Sequence, residues 1–174
     1  GWYLKSDFNY YFNSSDYTNQ FSKFSISKTD MAIAFSPFKN FSFTFQNEVG
    51  FKIGYSSLPY FDFAIGGTVF RENTNIRPFY GYDFLSISGN SFIKTSGNID
   101  YEFYKKNHIN LTYNASIVGD FIFNATKTWF NKPTYTGFGL GYGLETLIGP
   151  VEIKYTWSPE SHFSAFWVNL GFVF

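Results

Sequence analysis

The chain has 174 residues, a quarter of them Phe, Tyr or Trp, a formal net charge of zero and no Cys. Neutrality argues against nucleic acid as a partner, which calls for a basic stripe, and a chain without thiols has neither disulfides nor thiolate chemistry. No apolar run approaches the ~20 residues of a membrane-crossing helix. His108 and His162 lack a neighbouring ligand pattern, so neither a zinc site nor another cofactor is expected.

Taken in chain order, the hydropathy pattern has a period of two almost throughout. Trp2, Leu4, Phe8, Tyr10 and Phe12 alternate with Lys5, Asp7 and Asn9. No signal peptide precedes this strand-like start, so the sequence is expected to be a mature chain or a part of one. The clearest alternation runs from Phe41 to Tyr55, with Phe41, Phe43, Phe45, Val49, Phe51 and Ile53 on one face and Ser42, Thr44, Gln46, Glu48 and Lys52 on the other. Further on, Ile93, Ile99, Tyr101 and Phe103 oppose Lys94, Asn98, Asp100 and Glu102, and Ile109, Leu111, Tyr113 and Ile117 oppose His108, Asn110, Thr112, Asn114 and Ser116. Val151, Ile153, Tyr155 and Trp157 oppose Glu152 and Lys154. About ten such segments are expected, several of them long enough for the ~9–11 tilted residues that cross a bilayer.

Short punctuators separate the segments: Pro37 to Asn40, Ser56 to Pro59, Ser88 to Asn90, Lys105 to Asn107, Gly149-Pro150 and Ser158 to His162. Two connections are longer, Arg71 to Arg77 and Phe123 to Thr134, the second containing Trp129 and Phe130. Arg71, Glu72 and Arg77 read as a solvated turn. Gly137, Gly139, Gly141 and Gly143 form a column without side chains. Such a column permits a bend in the wall, and its sharper reading is a groove for an inserted loop.

These features predict an all-β fold, an antiparallel up-and-down transmembrane β-barrel. A soluble β-sandwich also alternates, but its single core would have to hold too many rings. In a barrel the apolar face meets lipid, Tyr and Trp form an aromatic girdle at the interfaces, and Lys5, Asp7, Glu48, Lys52, Lys94, Asp100, Glu102, Glu152 and Lys154 face the lumen. Residues 1–174 are read as one outer-membrane barrel domain, with no internal boundary. Phe166, Val168, Leu170, Phe172 and terminal Phe174 have the pattern of an assembly signal, an oily last strand offered to the barrel assembly machinery.

A family resemblance rests on the last hundred residues. Gly149-Pro150 followed by Val151 to Trp157, then Asn169-Leu170-Gly171 and Phe174, resembles the final hairpin of the BAM-type insertase and two-partner-secretion superfamily of Gram-negative outer membranes. Within it the chain is most similar to the C-terminal barrel of bacterial patatin-like phospholipases, on Pro78-Phe79-Tyr80-Gly81, Tyr101 to Lys106, Gly143-Leu144-Glu145-Thr146 and Gly149 to Pro159. The resemblance implies a sixteen-stranded barrel of which this chain would be the C-terminal part, partnered by the missing strands or by other subunits. The Arg-Gly-Phe/Tyr loop motif that reaches into the family's lumen has no match, and the short Ser88-Gly89-Asn90 turn is expected where that loop should fall.

Catalysis by this chain is not expected. The Gly-x-Ser-x-Gly elbow of a patatin-type lipase is absent, so any such dyad would lie outside these residues. His108 and Ser116 share a face but stand ~26 Å apart along one strand at ~3.3 Å per residue. The expected function is an outer-membrane anchor or scaffold for a linked module such as a patatin-like lipase, with outer-membrane lipids as partners. The alternatives are a pore or polypeptide translocator and a small lipid-modifying barrel.

Overall fold

The structure, a computed structural model, describes residues 1–12, 22–54, 61–68, 75–119, 133–147 and 149–171. Alternating aromatic and small polar residues suit a pleated surface, and they form eight long strands: β1 (Trp2–Tyr11), β2 (Phe24–Phe35), β3 (Phe41–Ile53), β7 (Ser91–Tyr104), β8 (Asn107–Gly119), β9 (Tyr135–Thr146), β10 (Gly149–Trp157) and β11 (Ser164–Leu170). Three short strands lie between β3 and β7: β4 (Phe63–Ile65), β5 (Ile76–Arg77) and β6 (Ile87–Gly89). The long strands make one antiparallel sheet in the order β1-β2-β3-β7-β8-β9-β10-β11, and the short ones a second sheet in the order β5-β4-β6.

Up-and-down order gives the large sheet two unlike rims. Ser36 to Asn40, Lys105-Lys106 and Leu147 lie in tight links on one rim, and the connections after Tyr11, Ile53, Gly119 and Trp157 lie on the other. Asn40 and Lys106 take left-handed backbone, each with φ 66°, to close their turns. Gly149-Pro150, expected to punctuate, opens β10 instead and pairs with Thr146 and Glu145. The described strands do not close on themselves: β1 and β11 are the two edges.

Side chains alternate across this sheet with inverted polarity. Phe45 and Ile153 are 43% and 48% exposed, whereas Glu48, Lys52 and Lys154 on the other face are 5%, 2% and 5% exposed. Leu4, Ile33, Ile99, Leu111, Tyr113 and Leu140 are exposed too, while Asn110, Thr112, Asn114 and Ser116 are buried. A water-soluble sheet would bury the first set and expose the second. Lipid as the outer solvent reverses the preference, so the sheet is barrel wall.

Among the described residues eight strands span where about ten are expected, because residues 61–68 and 75–90, between β3 and β7, do not. They fold back as an excursion over the inner face of the wall. Phe61 and Phe63 pack there with Phe24, Ile26 and Phe92. Ile65, Phe79, Tyr82 and Ile87 form a second buried cluster against Val118 and Tyr135. Gly50 makes room for the first cluster, since a Cβ there would lie 2.5 Å from the Phe92 ring and 2.7 Å from that of Phe63. The short Ser88-Gly89-Asn90 turn expected at this point is therefore only the end of a long inward loop. Its apolar residues alternate like those of a spanning strand, which is why period alone miscounts them.

Candidate functional site

Cross-strand register builds a charged row on the inner face. Lys5 pairs with Asp30, Asp30 with Glu48, Glu48 with Lys94, and Lys94 with Ser116. Two carboxylates side by side repel, and Arg77, carried by β5, is laid over both. Its Nη2 is 3.3 Å from Asp30 Oδ2, and its Nε is 3.4 Å from Glu48 Oε1. Lys94 Nζ bonds the other oxygen of Glu48. Two cations and two anions thus balance in a place almost closed to water, the condition under which buried charge is tolerated. A second pair, Lys52 with Asp62, ties the start of the excursion to β3.

From Arg77 the chain crosses the wall toward β10. Asn114 Oδ1 accepts the Tyr80 N–H at 2.8 Å, and its Nδ2 donates to the Tyr80 carbonyl at 3.4 Å, so one amide replaces a pair of ladder bonds. The Tyr80 carbonyl passes so close to β9 that a Cβ on Gly137 would sit 1.8 Å from it. Of the two readings of the glycine column, the inserted loop holds at Gly137. Gly139 and Gly141 make room for Lys154 and Asn110 side chains, and Gly143 meets only His108 Cβ at 3.5 Å. Gly81, at φ 80°, approaches the Trp157 carbonyl, and Ser161 Oγ donates to the Gly81 carbonyl at 2.8 Å. Lys154 Nζ lies 4.8 Å from the Tyr80 ring centroid, a cation–π contact, and 3.0 Å from Glu152 Oε1. Glu152 also accepts from Asn110 (2.7 Å) and Asn169 (3.2 Å).

Between loop and wall a recess of about 220 Å³ is lined by Gln46, Tyr80, Lys94, Asn98, Asn114 and Lys154, among others. Outside the spanning strands, burial raises the Tyr82 hydroxyl above its usual range. Glu160 is held below the usual carboxylate range, chiefly by the Thr136 hydroxyl at 2.5 Å.

Other residues singled out in the sequence behave differently. Arg77 is a buried ion-pair partner rather than part of a solvated turn; Arg71, Glu72, Trp129 and Phe130 lie outside the described residues. His108 Nδ1 contacts Asp100 Oδ2 at 2.7 Å, and Ser116 Oγ donates to the Ile93 carbonyl, so the two make no nucleophile–base pair. Among the described residues no group of three His, Asp or Glu could hold a metal. Phe166, Val168 and Leu170 are exposed along edge strand β11, and Phe172 and Phe174 lie outside the described residues.

Asp30 and the Asn114 clamp escaped sequence reasoning. A signal exists in β2: Phe24 and Ile26 are apolar at even positions, Met31, Ile33 and Phe35 at odd ones. That phase flip marks where an inner wall is covered by protein and not by water.

A family model matches the chain over residues 1–174, that of the OMP85 superfamily. No curated protein matches it.

Proposed function

The chain belongs to the OMP85 superfamily, and from that premise we propose that it is wall of an outer-membrane barrel larger than the eight long strands described, holding a linked module at the membrane. The carrying observation is the excursion. An eight-stranded barrel has an interior just wide enough for side chains. This inner face bears a small sheet with its own buried cluster of Ile65, Phe79, Tyr82 and Ile87, which supports a wider enclosure. The two edges point the same way, because unpaired backbone groups in lipid cost several kcal/mol each. Further strands, of this chain's own protein or of another subunit, would satisfy β1 and β11. Residues 1–174 then act as one barrel portion, and Phe166 to Phe174 are its assembly signal for the insertion machinery.

The proposed module is a patatin-like lipase, on the resemblance of Pro78 to Gly81 and of the last hairpin. The chemistry belongs to that module and the barrel serves as its anchor. A pore is the second reading, favoured by the polar recess. The excursion opposes it, since paired charges and the Asn114 clamp fix the loop across the inner face. The native protein, purified from outer membrane and placed in planar bilayers, is expected to insert without stable single-channel steps. Reproducible large steps in the untreated protein would replace the anchor reading with the pore.

A further inference from the structure

We propose that the rim of tight turns is a collar that binds anionic phospholipid headgroups; this rests on the membrane-wall reading above. Each of the three links on that rim carries or adjoins an apolar side chain in the open: Phe38 is 70% exposed, Tyr104, the last residue of β7, 71% and Leu147 100%. None is isolated. Phe38 is three residues from Phe41, Tyr104 follows Phe103, and Leu147 is three residues from Leu144, and each of these neighbours belongs to the outward apolar face. The tips therefore stand within ~10 Å of the oily band at ~3.3 Å per residue. The headgroup layer begins where the ~30 Å hydrocarbon core ends.

The same rim carries exposed cations. Lys39, Lys105 and Lys106 are exposed, and among the described residues none has an ion-pair partner. Lysines buried on the inner face are all paired: Lys52 with Asp62, Lys94 with Glu48, Lys154 with Glu152. The acids nearest the rim have partners other than these lysines' ammonium groups. Asp100 and Glu145 flank the His108 ring at 2.7 and 3.5 Å, Glu102 accepts the Lys106 N–H at 2.9 Å, and Glu152 is held by Lys154, Asn110 and Asn169. Lys39 shares a recess with Asp100 and Glu102, and the three lysines, without ion-pair partners among the described residues, stand beside exposed rings and a leucine at the membrane boundary. Lysine stems lie along apolar surface while the ammonium reaches for phosphate, and aromatic side chains favour the interface. An acidic protein could also meet three lysines, but it would not account for apolar tips continuous with the lipid-facing band. Each lysine near an anionic surface strengthens binding roughly fivefold.

The test compares the native full-length protein with a Lys39→Gln/Lys105→Gln/Lys106→Gln variant, both reconstituted in phosphatidylcholine bilayers and titrated with phosphatidylglycerol. Bound lipid is read by native mass spectrometry after release, with Lys23→Gln, outside the tight-turn rim, as the control. Wild type and control are expected to retain phosphatidylglycerol over phosphatidylcholine, and the triple variant to retain at least tenfold less while inserting as well. Insertion without a phosphatidylglycerol preference, or a preference the triple variant keeps, overturns the collar and leaves the wall reading standing. Unchanged lipid retention with loss of a co-purifying acidic protein overturns it in favour of that partner. Failure of the wild type to insert at all refutes the wall reading as well.

Discussion

The two halves of the inner face are built from the same strands at the same side-chain parity, yet they solve different problems. Toward the long connections the wall is covered by protein, and its inner positions include Phe24, Ile26 and Phe92, all buried. Toward the tight turns no cluster of described residues covers the wall, and its inner positions are Asp100, Asn110, His108, Glu152 and Asn169, joined to one another or to Lys154 by hydrogen bonds and ion pairs. Between the halves lies the row Asp30, Glu48, Lys94 under Arg77. A barrel interior is therefore not one solvent: half of it follows the rules of a protein core and half those of a wet channel.

The sharpest way to break this comparison is to cut the charge that joins the halves. Arg77→Met leaves Asp30 and Glu48 side by side with only Lys94 and the exposed Lys5 near them, and removing one partner of a buried pair costs ~3–5 kcal/mol. Denaturant titration in bilayers should register that loss, and limited proteolysis should show residues 61–90 opening. Glu152→Gln, in the half toward the tight turns, is expected to cost less and to leave the excursion protected. Equal costs with equal protection would mean that the excursion is held by its apolar clusters and not by Arg77.

The wall is legible in the sequence because one physical variable, period-two alternation, fixes strand, facing and neighbour together. Phe41 to Ile53 and Ile109 to Ile117 follow their expected faces, and Lys52, Lys94 and Lys154 are buried inward as their parity requires. The excursion was not readable in the same way. Phe61, Phe63 and Ile65 alternate as a spanning strand does, and nothing local distinguishes lipid from a facing wall. Arg77 looked solvated because its partners Asp30 and Glu48 are 47 and 29 positions earlier in the chain. The phase flip in β2, beside Gly50 of the neighbouring β3, carries that information, and it becomes visible once the two strands are set in register.

The next test asks whether the outer face is one solvent where the inner face is two. Arg placed at Phe45 or Ile153 should cost ~2–4 kcal/mol if the site lies near the bilayer midplane. Thr44→Arg, one residue from Phe45 on the recess side, should be mild, because a cation there meets polar groups. Denaturant midpoints in bilayers measure both. Equal tolerance would overturn the facing assigned to β3, and with it the inside-out polarity of the sheet.

The finest discrimination comes from the glycine column, which runs through both halves on one strand. A valine suits a strand better than a glycine does, so propensity alone favours replacement at every position. Packing reverses this at Gly137, where the added Cβ would lie 1.8 Å from the Tyr80 carbonyl and 2.7 Å from Asn114 Nδ2. The loop must lift, losing the amide clamp, or the strand must shift; overpacking of this kind costs ~1–3 kcal/mol. At Gly143 the same Cβ meets only His108 Cβ at 3.5 Å, ordinary contact. Gly137→Val should therefore lower the denaturant midpoint and expose residues 75–82 to protease, while Gly143→Val leaves the midpoint unchanged or raises it. If both lower it alike, the column exists for curvature of the wall, and the close passage of Tyr80 is a consequence of that bend rather than the reason for the glycine.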